Sequence, residues 1–199
     1  GYGDINENVD PAISTFVSQK YSNYANKTFN NAGTRKQTVK DAGCAPAVAT
    51  MAINSQGYAE PITMNEALRD ALPYKQPGGG VTADYFIEEF RKHNMHSAYM
   101  VGQDSKRIKQ MKEYLKSGQT LILMGKDEKN TTKNTSPFGP NSHYVYAVGI
   151  SKDGKTIYIN DPEARQAKIP YSTDRVLKHT TLGIAPQVSK KKAIPKVVT

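Results

Sequence analysis

Hydrophobic positions recur at helical spacing through the first half of the chain and at strand spacing through the second. Ile13, Phe16, Val17 and Tyr21 share one helical face, which predicts an amphipathic helix from Pro11 to about Tyr24. Asn26 to Lys36 is polar and predicts a loop. The apolar run Ala45 to Ile53 predicts a buried helix that Cys44 opens. Thr63, followed three residues later by Glu66, predicts a capping box at the start of a third helix ending near Pro73. Thr82 starts a helix through Phe86, Phe90 and Arg91, closed at His93-Asn94, where Asn can take the left-handed cap conformation. Ser97 to Val101 reads as a short strand. Ser105 to Lys116 reads as a helix packed through Ile108, Met111 and Leu115 and stopped by Gly118.

The period then shortens. Thr120 to Met124 is a continuous apolar run, and a polar loop from Lys126 to Asn141 separates it from the strand His143 to Ile150. Asp153-Gly154 is a hairpin turn into Thr156 to Ile159. Further strands are expected at Ala167 to Pro170 and Thr180 to Ala185. Helices followed by an antiparallel sheet make this an α+β chain.

With 199 residues, 37% hydrophobic and 23% charged, the chain suits one globular domain, expected over 11–186, with an extension at 1–10 and a basic tail at 187–199. Gly1 is not followed by a basic, then apolar, leader, which is expected of a mature product or an excised piece. No run approaches the roughly 18 apolar residues of a membrane span. One cysteine excludes an internal disulfide and a cysteine-based zinc site. The net charge of +9 favours polyanionic surroundings, and Lys190, Lys191, Lys192 and Lys196 concentrate part of it in the tail, as a solvated linker or a contact for anionic wall polymers. No basic helix is interleaved with aromatics, so no specific nucleic-acid partner is expected. Gly78-Gly79-Gly80 lacks the Lys-Ser/Thr pair of a phosphate cradle and reads as a flexible connection.

Chemistry enters with Cys44. A thiol at a helix N-terminus meets the positive end of the macrodipole, which favours the nucleophilic thiolate; Gly43 allows a tight approach, and Pro46 fits a first turn. Such a nucleophile needs a base and a group that orients the base. Across the Asp153-Gly154 hairpin, the start of one strand faces the end of the next, so His143 and Asp161 are expected to be neighbours. An acyl transfer also needs oxyanion donors: the Cys44 N–H and a glutamine, either Gln19 or Gln37, with Gln19 favoured because a helix would hold it. His93 and His96 flank a helix end without a metal-binding cluster, and His179 has no partner identifiable from sequence.

The run Thr38 to Pro46, the run Ser142 to Ile150 and Tyr158-Ile159-Asn160-Asp161-Pro162 together resemble the papain-like peptidases that process bacteriocin leaders, most closely their stand-alone C39-like branch, over roughly Val17 to Pro170. The resemblance implies a papain-like fold with a helical N-terminal lobe on an antiparallel sheet. It implies Cys44 as nucleophile, His143 as base and Asp161 as orienting residue, acting on a peptide or amide bond without metal or organic cofactor. Ala45 stands where the family form has a second glycine. The Lys126 to Asn141 loop would border the cleft as a lid, a specificity loop or a mobile insertion. The substrate expected from charge and stand-alone architecture is a peptide of the bacterial cell wall, placing the protein outside the cell or in the envelope. The rival expectation is a non-catalytic papain-like binding module, or an accessory domain of a larger secreted, phage or conjugation machine.

Overall fold

The computed structural model describes residues 10–30, 36–57 and 59–188, so all but the last residue of the expected N-terminal extension and most of the basic tail lie outside the described residues. Seven α-helices are found among them: α1 (Pro11–Ser14), α2 (Val39–Ala42), α3 (Cys44–Asn54), α4 (Met64–Ala71), α5 (Asp84–Lys92), α6 (Ser105–Lys116) and α7 (Thr173–Lys178). Six strands accompany them: β1 (Met95–Val101), β2 (Leu121–Gly125), β3 (His143–Ile150), β4 (Thr156–Asn160), β5 (Ile169–Ser172) and β6 (Thr180–Val188). The strands form one sheet in the order β1-β6-β2-β3-β4-β5, antiparallel throughout.

Helices cover both faces of this sheet, which explains why its central strands lack a polar side. Successive residues of a strand point to opposite faces. Tyr144 and Tyr146 of β3 enter a core with α3, α4 and α5, while Val145 and Ala147 enter a second core with α6 and α7. The same alternation sends Ile122 of β2 to the first core and Leu121 and Leu123 to the second. The continuous apolar run of β2 is therefore the signature of a strand buried on both sides.

Helix α3 is buried from Ala45 to Ile53, matching its expected limits. Phe86 of α5 meets the ring of Tyr144 edge-on at 5.1 Å, and each fully buried aromatic ring of this kind contributes about 2–3 kcal/mol. Asn94 has φ +60° and closes α5 as expected, and α6 begins and ends where its pattern predicts. The turn after β3 contains Gly154 at φ +76°, with Asp153 Oδ1 accepting from Ser151 Oγ and Lys155 N.

Three expectations need correction. The predicted helix from Pro11 to Tyr24 stops at Ser14, and Ile13 and Tyr21 are exposed. Gln19 N and Ser18 Oγ both donate to the carbonyl of Pro162, which diverts this segment from the helical hydrogen-bond ladder to the end of β4. The strand expected at Ala167 to Pro170 begins only at Ile169, and α7 follows it without having been foreseen. Gly78-Gly79-Gly80 is a bonded turn rather than a slack connection: Gln76 N donates to Gly80 O at 2.8 Å and Gly79 N to Gln76 O at 3.0 Å.

Candidate active site

Cys44 is the first residue of α3 and is partly exposed. Helix α2 stops directly before it, with Gly43 N donating to Val39 O at 2.8 Å. Gly43 has φ −90°, so positive-φ freedom is not the reason for glycine; a Cβ there would lie 2.6 Å from both Val39 Cγ1 and Val39 O. The absent side chain lets α2 abut α3 and sets the sulfur at the mouth of the cleft. Pro46, third in the helix, occupies a first-turn position whose N–H has no intrahelical acceptor.

His143 opens β3 and Asp161 directly follows β4, and His143 Nε2 lies 2.8 Å from Asp161 Oδ1. The expected meeting of these two side chains is present, aided by an irregularity that sequence does not reveal. Gly149 pairs with Tyr158 but Ala147 with Ile159, so Val148 is a surplus residue, and the end of β4 is advanced one position toward His143. Both side chains are buried, at 5% exposure each. Burial disfavours the imidazolium, but the charge and hydrogen bond of Asp161, with Cys44 as a further hydrogen-bond partner, push His143 up to about 10. Burial likewise opposes the Asp161 carboxylate, and the imidazolium and Lys133 outweigh it, holding Asp161 below the usual carboxylate range. With Nε2 engaged by Asp161, Nδ1 is the ring nitrogen left for Cys44.

Gln19 and Gln37 both border the same cleft as Cys44. Gln19 is 1% exposed and is held by its backbone bond to Pro162 rather than by a helix. Its Nε2 donates to Lys40 O at 3.0 Å and Val39 O at 3.3 Å. Gln37 presents Oε1 to the buried ammonium of Lys75, which also donates to Gly79 O at 2.7 Å and so ties the glycine turn to this wall. Burial pulls Lys75 below the usual lysine range.

The cleft has a volume of about 590 Å³. The glycine turn lines it on one side, and Gly139 to His143, Lys133 and Glu163 line the other. Glu163 escaped the sequence reading because its role depends on the turn that carries Asp161: its N–H donates to Asp161 Oδ1 at 2.9 Å, and its Oε1 lies 3.8 Å from His143 Nδ1. Its Oε2 meets Lys133 at 2.7 Å and Lys20 at 3.4 Å. The loop from 126 to 141 borders the cleft as expected, and it is packed rather than a loose insertion. Buried Asn130 donates to Ser136 O and Phe138 O, and Phe138 is fully buried. Gly125 must be glycine there, since a Cβ would lie 2.5 Å from Phe138 and His179 O.

The other histidines sit elsewhere. His93 is buried with Nδ1 2.8 Å from Glu60 O, and His179, for which sequence offered no partner, lies 3.4 Å from Asp127. Among the described residues no group of three or more His, Cys, Asp or Glu is placed to hold a metal ion. No helix there is long and apolar enough to cross a membrane.

The model of the Peptidase C39 like family matches residues 10–180. Among solved structures, the peptidase domain of Streptococcus ComA, a bi-functional ABC transporter involved in a quorum sensing pathway, is similar at TM-score 0.52 and 18% identity, over 82% of this chain and 98% of that one. A Bacillus anthracis protein described as a C39-like peptidase is similar at TM-score 0.55 and 13% identity, over 87% of this chain and 94% of that one. At such identities the likeness is one of fold. No curated protein matches the chain.

Proposed function

The chain belongs to the Peptidase C39 like family, and from that premise we propose that it is a cysteine peptidase or amidase using Cys44, His143 and Asp161. The observation that carries this reading is the imidazole of His143, bonded to Asp161 on one nitrogen and partnered by Cys44 beside a cleft of about 590 Å³. Cys44 Sγ attacks the carbonyl carbon of the bound peptide. As the C–N bond breaks, His143 Nδ1 hands its proton to the leaving nitrogen, and a thioester remains. Water then attacks the thioester, gives its proton to Nδ1 and releases the acid, while sulfur leaves as thiolate. Asp161 keeps the ring oriented through both steps.

The oxyanion meets the Cys44 N–H at the start of α3 and the amide of Gln19. Gln19 supplies its donor by turning one N–H away from Val39 O, the longer of its two bonds. Gln37 is the alternative donor. As substrate we favour a cell-wall peptide, which makes the protein an extracellular or envelope enzyme. The net charge of +9 and the exposed Lys106, Lys109 and Lys116 along α6 suit anionic wall polymers.

Incubation with purified peptidoglycan tests this. New amino termini from the wild-type protein and none from Cys44→Ala are expected. No release, alongside cleavage of a protein substrate, rejects the wall peptide, and unchanged biological activity of a folded Cys44→Ala protein rejects catalysis in favour of a binding module.

A further inference from the structure

The two ring nitrogens of His143 face two carboxylates, and only one of these belongs to the proposed triad. Asp161 holds Nε2 at 2.8 Å; Glu163 approaches Nδ1, the nitrogen left for Cys44, to 3.8 Å and stops there. It is restrained from behind. Lys133 from the 126–141 loop bonds Glu163 Oε2 at 2.7 Å, and Lys20 from the segment that carries Gln19 stands 3.4 Å from the same oxygen. A charge 3.8 Å from an imidazolium is felt strongly in a partly desolvated cleft, yet at that distance it makes no hydrogen bond. Moved about 1 Å closer, the same carboxylate would take the Nδ1 proton from the thiolate's side.

We propose that Glu163 is a positioning residue for His143, and that Lys133 and Lys20 clip it at a distance where it favours the imidazolium without displacing Cys44 from Nδ1. The inference rests on the triad reading and adds its regulation by a second carboxylate. The charged groups around His143 and Glu163 all enter the balance: Asp161 on Nε2, Cys44 at Nδ1, Lys133 and Lys20 on Glu163. Lys133 also acts on Asp161, and Tyr171 lies within reach of the Asp161 charge. Burial opposes the Glu163 carboxylate, and His143, Lys133 and Lys20 together hold it below the usual carboxylate range, so it stays charged across the working pH.

Removing the two sides of the clip should therefore have opposite effects. Glu163→Gln withdraws a negative charge from the ring, so the imidazolium loses its proton at a pH about one unit lower, and Cys44 stays reactive at neutral pH. Lys133→Met releases the carboxylate onto Nδ1, so the ring keeps its proton to higher pH, while alkylation of Cys44 at pH 7 slows roughly tenfold, the effect of about 1.4 kcal/mol. Lys133→Arg restores both values.

NMR titration of the His143 ring in the full chain, with iodoacetamide labelling of Cys44 read by intact mass, measures the two quantities. Opposite displacements in Glu163→Gln and Lys133→Met, with rescue by Lys133→Arg, bear the proposal out. A His143 midpoint unmoved by either variant, or moved in the same direction by both, overturns it. Glu163→Asp, which shortens the arm, provides the same reading if Glu163→Gln does not fold. Cys44→Ala separates the two levels: a midpoint it moves while the clip variants do not leaves the triad standing and removes the clip, and a midpoint it leaves in place removes the triad.

Discussion

Two clusters of this molecule contain the same ingredients, one histidine and two carboxylic acids, and one acid of the second cluster is pushed the opposite way from both acids of the first. Around His143, Asp161 and Glu163 are each in contact with a cation, and both carboxyls are held below their ordinary range. Around His93, Glu89 of α5 lies beside Asp70 of α4, with Tyr85 donating to Glu89 Oε1 at 2.9 Å. His93 Nε2 is 3.9 Å away, and its Nδ1 faces the Glu60 carbonyl. Burial, with Asp70 as a hydrogen-bond partner, pushes Glu89 up to about 8. As carboxylates both acids only accept; a proton on Glu89 provides the donor that Asp70 needs. Burial is thus common to both clusters. Asp70, with Arg69 at 3.2 Å and Lys92 at 3.5 Å, is also held below the usual carboxylate range. The clusters therefore differ at Glu89, and the open cleft distinguishes the one suited to chemistry.

The largest expected effect that separates the clusters is on turnover. His143→Ala should lower kcat/KM for the cleaved peptide by about 10⁴, whereas His93→Ala leaves it within twofold and lowers stability by about 1–2 kcal/mol through the lost buried hydrogen bond. Equal losses of turnover would erase the distinction. Next come the groups that serve the base and the oxyanion. Asp161→Asn and Gln19→Ala should each reduce kcat by about 10²–10³ with little change in KM, and Gln37→Ala by less than tenfold. A larger loss from Gln37→Ala than from Gln19→Ala would transfer the oxyanion role.

The smallest effect is on stability, and its sign differs between the clusters. Glu89 titrates higher in the folded protein than unfolded, so its contribution is full below about 4.5 and is lost as pH rises through about 8. Glu89→Gln should gain on the wild type by on the order of 1 kcal/mol between pH 5 and pH 9. Asp161 and Glu163 are lowered, so their contributions are present above the ordinary carboxylate range and are lost on acidification; His143 is raised, so its contribution is full below about 6.5 and is lost as pH climbs through about 10. Denaturant midpoints against pH for Glu89→Gln and Asp161→Asn check both signs.

Much of this architecture was legible from local pattern. The limits of α6 and β3, the buried α3 and the meeting of His143 with Asp161 follow from periodicity, turn residues and hairpin geometry, each of which acts within about twenty residues. What escaped depends on contacts distant in sequence. Helix α1 ends early because Pro162, 144 residues away, takes the Ser18 hydroxyl. The same carbonyl fixes Gln19, so the favoured glutamine borders the cleft for a reason other than a helix. Glu163 and Lys133 read as ordinary surface charges until the fold joins them. Helix α7 did carry a local signal, with Ser172 accepting from Arg175 N and Asp174 in the first turn, but six residues of helix give too short a period to stand out.

Cys44 labelling by iodoacetamide at pH 6, compared between the wild-type protein and His143→Ala and read by intact mass, tests the coupling of sulfur to imidazole most directly. The account predicts rapid single modification of the wild type and at least a tenfold slower reaction in His143→Ala. Equal rates in the two folded proteins would contradict it.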